Sequence, residues 1–456
     1  MLRAIYSFND RYIFTGTVRR DGFSGFGKDH KFGVFPSGAF AWRISEEDFF
    51  KDRVDWMENL KLLLSYGSNG NRTVGRYQTL AQLGSGAGSV KIGDVTYDAG
   101  YLFGDGSSAE QMQWITSLAN ADLKWETTNT FNMGMDFSAL NGRIFGNVDY
   151  YLSQTNNLLF NINIPQINGL EKIPTNIGKL KNHGVEFSIT GVPVQTKDFS
   201  WDVTFNFSRN RNKVVSILGI DADGDGKEDD LIANKIFIGK PYGVKYDYNI
   251  IGMWQLADKQ NGLIPNGFEY GTYKVEDVNN DGKYTADEDR KIVGYEDPAY
   301  RFSIQNSFRY KNWELKVFIN SVQGGKKYYY GQPGSSLPNP DNIYQSNLFN
   351  FDYWTPENPD ARYRQLGYFS QSLGGFAFSP YVQRSFVRLQ DITISYNVPA
   401  SWLKKFNVNR LKAYVSGKNL LTFTDWDGWD PETGSGLDSS KYPVMRSYSV
   451  GLNLEF

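Results

Sequence analysis

The feature that most constrains the fold is a strict alternation of apolar and polar side chains, which is cleanest at the C-terminus, residues 446–456. A period of two residues predicts a β-strand with one apolar and one polar face. Such a strand fits a bilayer-spanning strand, and it also fits a half-buried edge strand of a soluble sandwich. The rest of the chain must decide between these structures. The apolar face would carry Tyr448, Val450, Leu452, Leu454 and Phe456.

Composition narrows the fold class. Aromatic residues make up 16% of the 456 residues, yet the mean hydropathy is −0.48. Strands that expose only every second side chain to lipid produce this combination. No run of about eighteen apolar residues occurs, which excludes a transmembrane helix. No Pro- or Ser-rich linker divides the chain, so we expect one architectural unit.

Charge and residue usage argue against several function classes. The net charge of −2 gives no basic footprint, so no nucleic-acid partner is predicted. The absence of cysteine removes thiolate metal sites and cysteine nucleophiles, and the presence of only two histidines, His30 and His183, argues against histidine-based catalysis. Acidic pairs such as Glu46 and Glu47 have no identifiable shared pocket for glycoside hydrolysis. We therefore predict that the protein is not an enzyme.

About thirteen segments have alternating apolar and polar side chains. The connections between these segments are short and long in turn. Short connections are indicated, among others, at Asn9-Asp10, at Asn141-Gly142, at 192–199 and at 310–312, and long loops alternate with the short connections. Bacterial outer-membrane barrels combine short periplasmic turns with long extracellular loops in this way. The sequence therefore predicts an all-β fold, a transmembrane antiparallel β-barrel. Counting back from a periplasmic C-terminus puts the N-terminus outside, so we expect the upstream part of the barrel to be absent from this chain.

Two local patterns give further expectations. Ser45, followed by Glu46, Glu47 and Asp48, predicts the N-cap and acidic first turn of one short helix. The segment 236–254, IFIGKPYGVKYDYNIIGMW, is expected to form a hairpin outside the main sheet.

Segments along nearly the whole chain resemble, in order, the C-terminal barrel half of SusC/RagA-type TonB-dependent outer-membrane transporters of the Bacteroidetes. The segments are DRYIFTGTVRRDGFSGFG (10–27), FPSGAFAWRISEEDFF (35–50), NADLKWETTNTFNMGMDF (120–137), NIGKLKNHGVEFSITG (176–191), DVNNDGKYTADEDRKIVG (277–294), YWTPENPDARY (353–363), SFVRLQDITISYNVP (385–399), GKNLLTFTDWDGWDPETG (417–434) and the terminal Phe456.

The resemblance implies a barrel of about 22 strands in the outer membrane of a Gram-negative bacterium, surrounded by outer-membrane lipid. A globular N-terminal plug, a TonB-contacting segment and a SusD-like lipoprotein lid would complete the transporter. Its implied activity is TonB-dependent uptake of glycans or oligosaccharides, or of peptides. Residues 1–456 would be the C-terminal part of this barrel, without the plug and the first strands. The alternative function is a surface β-rich glycan-binding module without transport.

One acidic segment has the spacing of an EF-hand calcium loop, in which hard oxygen ligands surround Ca²⁺. A solvated acidic turn would also explain it. A second acidic run, 221–226, begins alike but has Ile232 where the terminal carboxylate should be. The matching ligand positions of the first segment, 277–288, are Asp277, Asn279, Asp281, Lys283 through its carbonyl oxygen, and Glu288.

Aromatic residues in the expected outer loops are candidates for stacking on sugar rings. Packing in a membrane-interface girdle or in a loop core is the competing role. The resemblance also implies that Phe456 is an assembly signal, because members of this class present a terminal aromatic strand to the insertion machinery. The candidate ligand-binding residues are Tyr329, Trp354, Trp426 and Trp429.

Overall fold

The fold was analysed in a computed structural model, in which thirteen strands form one antiparallel sheet. The structure describes residues 1–456 except 74, 76, 87, 93–94, 100, 104–107, 111, 164–171, 329–351, 366–371, 374–375, 378–380, 405–407, 427 and 435–441. The strands are β1 Leu2–Phe8, β2 Tyr12–Gly22, β3 Phe32–Arg43, β4 Met57–Asn71, β5 Glu126–Ala139, β6 Ile144–Asn156, β7 Lys179–Gln195, β8 Phe199–Ser216, β9 Pro298–Tyr310, β10 Trp313–Gly324, β11 Phe386–Asn397, β12 Arg410–Thr424 and β13 Ser447–Glu455.

Each strand pairs with the strand that precedes it and the strand that follows it in this order, so the sheet is an uninterrupted meander. Hydrogen bonds therefore connect sequence neighbours from β1 to β13. Over the described residues β1 pairs only with β2, and β13 only with β12. The prediction of an all-β fold with about thirteen alternating strands is confirmed.

Short turns close one edge of the sheet. Asn9 and Asp10 have φ values of 49° and 52°, and Asn141 and Gly142 have φ values of 57° and 72°. Asn, Asp and Gly tolerate this left-handed conformation, whose twist matches that of the strands in a tight hairpin. Lys311 adopts a φ of 53° in the turn between β9 and β10. The predicted turns are thus confirmed, and the long connections lie at the opposite edge, which we call the loop edge.

The connection between β3 and β4 contains a 3₁₀ helix, Ile44–Glu46, and an α-helical turn, Asp48–Lys51. The predicted N-cap is wrong, because Ser45 lies inside the 3₁₀ helix and is buried. Glu47 precedes the α-helical turn, and its carboxylate accepts hydrogen bonds from the Tyr12 hydroxyl (2.6 Å) and the Trp42 indole (2.9 Å). These side-chain contacts tie the short connection to β2 and β3.

The described residues contain three further helices, which are α Ala400–Leu403 between β11 and β12, and 3₁₀ Ile232–Asn234 and α Leu256–Gln260 in the loop between β8 and β9. In the described ranges, no helix has the length and apolar character that crossing a membrane requires.

The long connections contain ladders of their own. In the segment expected to form one hairpin, Val244–Tyr248 and Ile250–Met253 do not pair with each other, so that expectation is wrong. They pair instead with Arg290–Tyr295 and Tyr273–Val275, respectively, beyond the reach of a local sequence pattern. The remaining loop strands are Gln82–Gly86, Gly88–Ile92, Val95–Ala99, Tyr101–Phe103, Ser108–Glu110, Met112–Ser117, Leu159–Asn163, Lys172–Asn176, Lys326–Tyr328, Ser372–Leu373, Phe376–Ala377 and Tyr381–Gln383.

Most of the best-buried apolar side chains lie at or beyond the loop edge. One cluster, the loop core, consists of Tyr248, Trp254, Phe268, Tyr273 and Val275. Burial raises the pKa of the Tyr273 hydroxyl to about 12. The loops therefore form a packed layer with its own hydrophobic centre, which restricts their movement over the sheet.

A second cluster, the rim core, consists of Phe26, Phe35, Leu123 and Trp125. It anchors the loop between β2 and β3. Phe26 is only 2% exposed, and the Gly27 amide donates to the Leu123 carbonyl (3.2 Å). A Cβ atom on Gly27 would lie 1.8 Å from the Ala121 carbonyl oxygen, so only glycine allows this approach of the two backbones.

We predict that Gly27→Ala separates the β2–β3 loop from the segment around Ala121, at a cost of about 1–3 kcal/mol, since backbone atoms must move. Trypsin should then cleave faster after Lys28 and Lys31, as measured by mass spectrometry. The matched control is Gly16→Ala, where an added Cβ meets no atom within 4 Å. Equal cleavage of the two variants would contradict the anchoring role of Gly27.

Candidate functional site

The two faces of the sheet differ in chemistry along its whole width. One face, the apolar face, exposes large apolar side chains on strand after strand, and its members align across the ladders: Leu64 lies opposite Met133, and Val415 lies opposite Val450. Val450 is 82% exposed. The described residues leave this face uncovered, an arrangement that lipid favours and water disfavours. Its exposed members include Phe14, Val18, Phe131, Met133, Met135, Tyr150, Leu152, Ile394, Val415, Val450 and Leu452.

The opposite face, the polar face, carries hydroxyl and charged groups that pair across strands. Thr130 and Ser153 approach to 2.9 Å, as do Thr190 and Thr204. Glu314 accepts a hydrogen bond from Lys412 at 2.7 Å. These groups satisfy one another without a hydrophobic partner layer, as expected for side chains that line a wet interior.

Aromatic side chains mark the short-turn edge of the apolar face. Ring centroids lie 6.3 Å apart for Tyr12 and Trp42, and 4.8 Å apart for Trp313 and Tyr396. Their amphipathic rings suit the boundary between hydrocarbon and water. This band gives the apolar face a defined end at the turns.

The predicted sugar-stacking residues occupy different environments. Trp354 is 2% exposed and donates its indole N–H to Gln255 Oε1 (3.0 Å), while Trp426 is 4% exposed. Both rings are therefore packed inside the loop layer, and neither has a free face for a sugar. Trp429 is half-buried, and its ligand contact stays a prediction. Tyr329 lies outside the described residues.

A buried ion pair that the alternation did not reveal holds the last long loop to the sheet. Arg388 on β11 donates to Asp430 (2.7 Å) and to Glu432 (2.9 Å), and both the Arg388 and Asp430 side chains are almost fully buried. Burial raises the pKa of the Asp430 carboxyl, but the hydrogen bond from Arg388 and two backbone amides outweigh it, so the pKa lies below its usual range.

A β-bulge explains why sequence reasoning missed Arg388. The register of β11 shifts between Leu389 and Asp391, so Arg388 pairs with Asn320 and turns to the polar face. Strict alternation would have placed it on the same face as Ile392. The available signal was the charge itself, since an arginine is unfavourable on a lipid-facing strand.

The acidic segment 277–288 is closed by its own hydrogen bonds. Asp277 accepts from the Gly282 amide (2.8 Å), while Glu288 accepts from the Thr285 hydroxyl (3.2 Å) and stays exposed. The residue that closes the loop is Asp289, one position later, which is fully buried and accepts from the Val278 and Thr285 amides (2.9 and 2.7 Å). Glu288 thus does not converge with the other ligands, and the match to a calcium loop is incomplete.

The second acidic run gathers its carboxylates more closely. Asp221, Asp223 and Asp225 each offer a carboxylate oxygen within 4.8 Å of the other two, and in the described part of the chain no such group forms at 277–288. All three residues are exposed, and each accepts a hydrogen bond from a nearby backbone amide. Asn279, Asp281 and Lys283 lie in an exposed turn of the first segment. Calcium binding stays a prediction for both.

Phe456 follows directly after β13 and is 81% exposed. Its side chain continues the apolar face of the last strand. A role in assembly stays a prediction.

Comparisons with known proteins agree with this architecture. The profile of a family described as "TonB dependent receptor-like, beta-barrel" matches residues 1–420. TonB-dependent receptor P3 of Formosa agariphila is 33% identical over 475 residues, and TonB-dependent receptor SusC of Bacteroides thetaiotaomicron is 32% identical over 468 residues. Both alignments cover 100% of this chain, but only 45% and 43% of the relatives.

A solved structure titled "Structure of the RagAB peptide transporter" matches with a TM-score of 0.75 at 24% identity. This alignment covers 100% of the chain and 47% of the solved chain, so it supports the fold. The chain thus spans less than half the length of these relatives.

We predict that cysteines on the two faces of β13 differ in accessibility when the protein is in a membrane. Val450→Cys and Leu452→Cys should react with a lipid-soluble maleimide, because these side chains lie on the apolar face. The matched controls Ser449→Cys and Asn453→Cys should react with a water-soluble maleimide instead. Reversed labelling would mean that the two faces are assigned the wrong way round.

We also predict that Arg388→Met lowers the free energy of unfolding by about 3–5 kcal/mol, because Asp430 is left buried without its partner. The control Lys227→Met breaks an exposed pair with Asp225 and should cost at most about 1 kcal/mol. Urea titration of the detergent-solubilised protein measures both.

The pH dependence has a defined sign. Because the pKa of Asp430 is lowered by folding, its stabilisation is complete above the unfolded value of about 3.9 and is lost as pH falls through the folded value. The double variant Arg388→Met/Asp430→Leu should lack this acid-dependent loss. An identical acid response in wild type and double variant would contradict the role of the pair.

Proposed function

Because the chain belongs to the TonB-dependent receptor-like β-barrel family, we propose that it forms much of the barrel wall of an outer-membrane nutrient importer in a Gram-negative bacterium. In this role the apolar face contacts lipid and the polar face lines the path of the nutrient. The loop layer stands outside, where nutrient arrives. Transport of this kind needs no chemical step from the chain, and we assign it none.

The observation that carries the proposal is the combination of one uninterrupted meander with opposite chemistry on its faces. A soluble glycan-binding module would have to cover the apolar face with a second sheet or with helices. An exposed face with members such as Met133, Met135 and Val415 instead supports a membrane protein.

The outer edges of β1 and β13, which pair with no other strand among the described residues, extend the proposal. Unpaired backbone groups cost several kcal/mol each in hydrocarbon, so both edges need partner strands. We propose that further barrel strands supply them, and that the whole receptor includes the plug and the TonB-contacting segment expected for the family. A SusD-like lipoprotein would cover the loop layer, and the nutrient would be an oligosaccharide or a peptide.

For calcium, the two acidic loops support different proposals. Ligand spacing favours 277–288, whereas the grouping of three carboxylates favours 221–225. Hard oxygen ligands of either loop would hold Ca²⁺ and stiffen the turn.

The import proposal predicts different fates for two adjacent arginine substitutions. Met133→Arg puts a charge on the apolar face, at a cost of about 2–4 kcal/mol near the bilayer centre, and should remove the receptor from the outer membrane. Asn132→Arg puts the same charge on the polar face and should assemble normally. Immunoblots of outer-membrane fractions measure assembly.

Growth of a receptor-deletion strain on a panel of oligosaccharides and peptides measures import. The Asn132→Arg variant should restore growth on the imported nutrient, and Met133→Arg should not. Growth should also disappear when TonB is deleted. Growth that persists without TonB, or normal assembly of Met133→Arg, would contradict the proposal.

Calcium titration calorimetry of the solubilised receptor tests the two acidic loops. Asp281→Asn should abolish binding if 277–288 is the site, and Asp223→Asn should do so if 221–225 is. Asp55→Asn, an exposed carboxylate at the short-turn edge, is the control. Unchanged heats for both loop variants would exclude calcium at either loop.

A further inference from the structure

A cavity of about 780 Å³ lies at the loop edge beyond the ends of β2, β3 and β4, between the β2–β3 loop and the segment that follows β4. Among the described residues, its charged lining residues are Lys28, Lys31 and Arg72, and no acidic residue lines it. Three like charges around one cavity add up to a local positive potential, which attracts an anion.

No carboxylate of the described residues neutralises these three cations. Over the described residues, none of them forms an ion pair with a carboxylate, and all three are exposed. The nearby Asp21 is held by Arg19 at 2.7 Å, and Asp29 stands in the same loop without lining the cavity.

In another cavity of the loop layer, the positive side chains already have hydrogen-bond partners. In this cavity, of about 400 Å³, Lys326 donates to the Val293 carbonyl (2.8 Å) and Arg362 to the Asp425 carbonyl (3.1 Å). Their cations are therefore already engaged by backbone oxygens. The cavity beside Lys28 stands out because its positive groups are available to a ligand.

Aromatic and hydroxyl groups complete the lining. Tyr77 is 69% exposed and is held in the left-handed region at φ 65°, which an aromatic residue seldom adopts and which often marks a functional position. The guanidinium of Arg72 lies 5.1 Å from the centroid of the Phe23 ring. Thr79 adds a hydroxyl. Aromatic faces suit the carbon-bound faces of sugar rings, and hydroxyls suit sugar hydroxyls.

The cavity wall is also preorganised. The β2–β3 loop is closed by the Phe23 amide, which donates to the Lys31 carbonyl at 2.8 Å, and it is pinned by buried Phe26. A rigid loop loses little conformational freedom when a ligand binds, so modest contacts suffice for affinity.

From these observations we propose that the cavity is a binding site for acidic sugar units, in which Lys28, Lys31 and Arg72 contact the carboxylate or sulfate groups and Tyr77 contacts the ring. This inference rests on the import function proposed above and adds the chemical class of the nutrient: an oligosaccharide that carries negative charge.

The test is calorimetric binding to the whole receptor in detergent, with tetragalacturonate and a chondroitin sulfate tetrasaccharide as acidic probes and maltotetraose and tetraglutamate as comparisons. The triple variant Lys28→Gln/Lys31→Gln/Arg72→Gln should weaken the Kd of the acidic sugars by about ten-fold, since three exposed charge contacts are lost. The difference should shrink at 500 mM NaCl, where the screening length falls to about 4 Å.

The matched control is Arg53→Gln/Lys197→Gln/Lys404→Gln, which removes the same charge from exposed positions at the short-turn edge. It should leave the Kd unchanged. A further variant, Tyr77→Ala, should weaken the binding of both acidic sugars. It should not weaken the binding of tetraglutamate, whose contacts are purely ionic.

Three results would overturn the proposal: no binding of either acidic sugar, equal loss of affinity in the two triple variants, or binding of tetraglutamate as tight as that of the sugars. Binding in detergent does not require energised transport. A failure here therefore leaves the import proposal standing, and a failure of import leaves this binding result interpretable.

Discussion

The structure depends above all on hydrogen bonds between strands that are neighbours in sequence. In a bilayer no water can satisfy a backbone N–H or C=O group, so every strand must find its partners within the sheet. In the order from β1 to β13, each strand finds these partners in its sequence neighbours, since each short turn places the next strand beside the previous one. The side chains of one face can then be apolar and contact lipid, while those of the other face are polar and contact water.

Because the pairing is local, much of the sheet could be predicted from sequence. The alternation of β13 assigns Val450 and Asn453 to opposite faces, and positive-φ residues such as Asn9 and Gly142 identify the turns. These signals depend only on residues a few positions apart. The family resemblance adds the class of barrel, which alternation alone leaves open between membrane and soluble folds.

The parts that escaped prediction depend on contacts between distant residues. A single bulge at Leu389–Asp391 turns Arg388 toward Asp430, and no local pattern indicates where a bulge falls. The sequence predicts ligand contact for Trp354, but the structure buries its ring in the loop layer, where it bonds Gln255, almost a hundred residues away. The acidic segment 277–288 has the right spacing for a metal, yet Asp289, just outside the motif, closes the loop.

The sheet and the loop layer therefore differ in how specific their residues are. Many sequences could supply an apolar face, a polar face and tight turns, so under the import proposal the sheet by itself does little to distinguish one nutrient from another. The loop layer differs, because its hydrophobic clusters fix individual groups in place: buried Phe26 and Gly27 hold the β2–β3 loop, and this loop holds Lys28 and Lys31 beside Arg72. Among the described residues these positive charges have no acidic partner, so they repel one another to a small, solvent-screened extent. A ligand of opposite charge would relieve this repulsion, and under our proposal selectivity therefore lies in the loops rather than in the strands that support them.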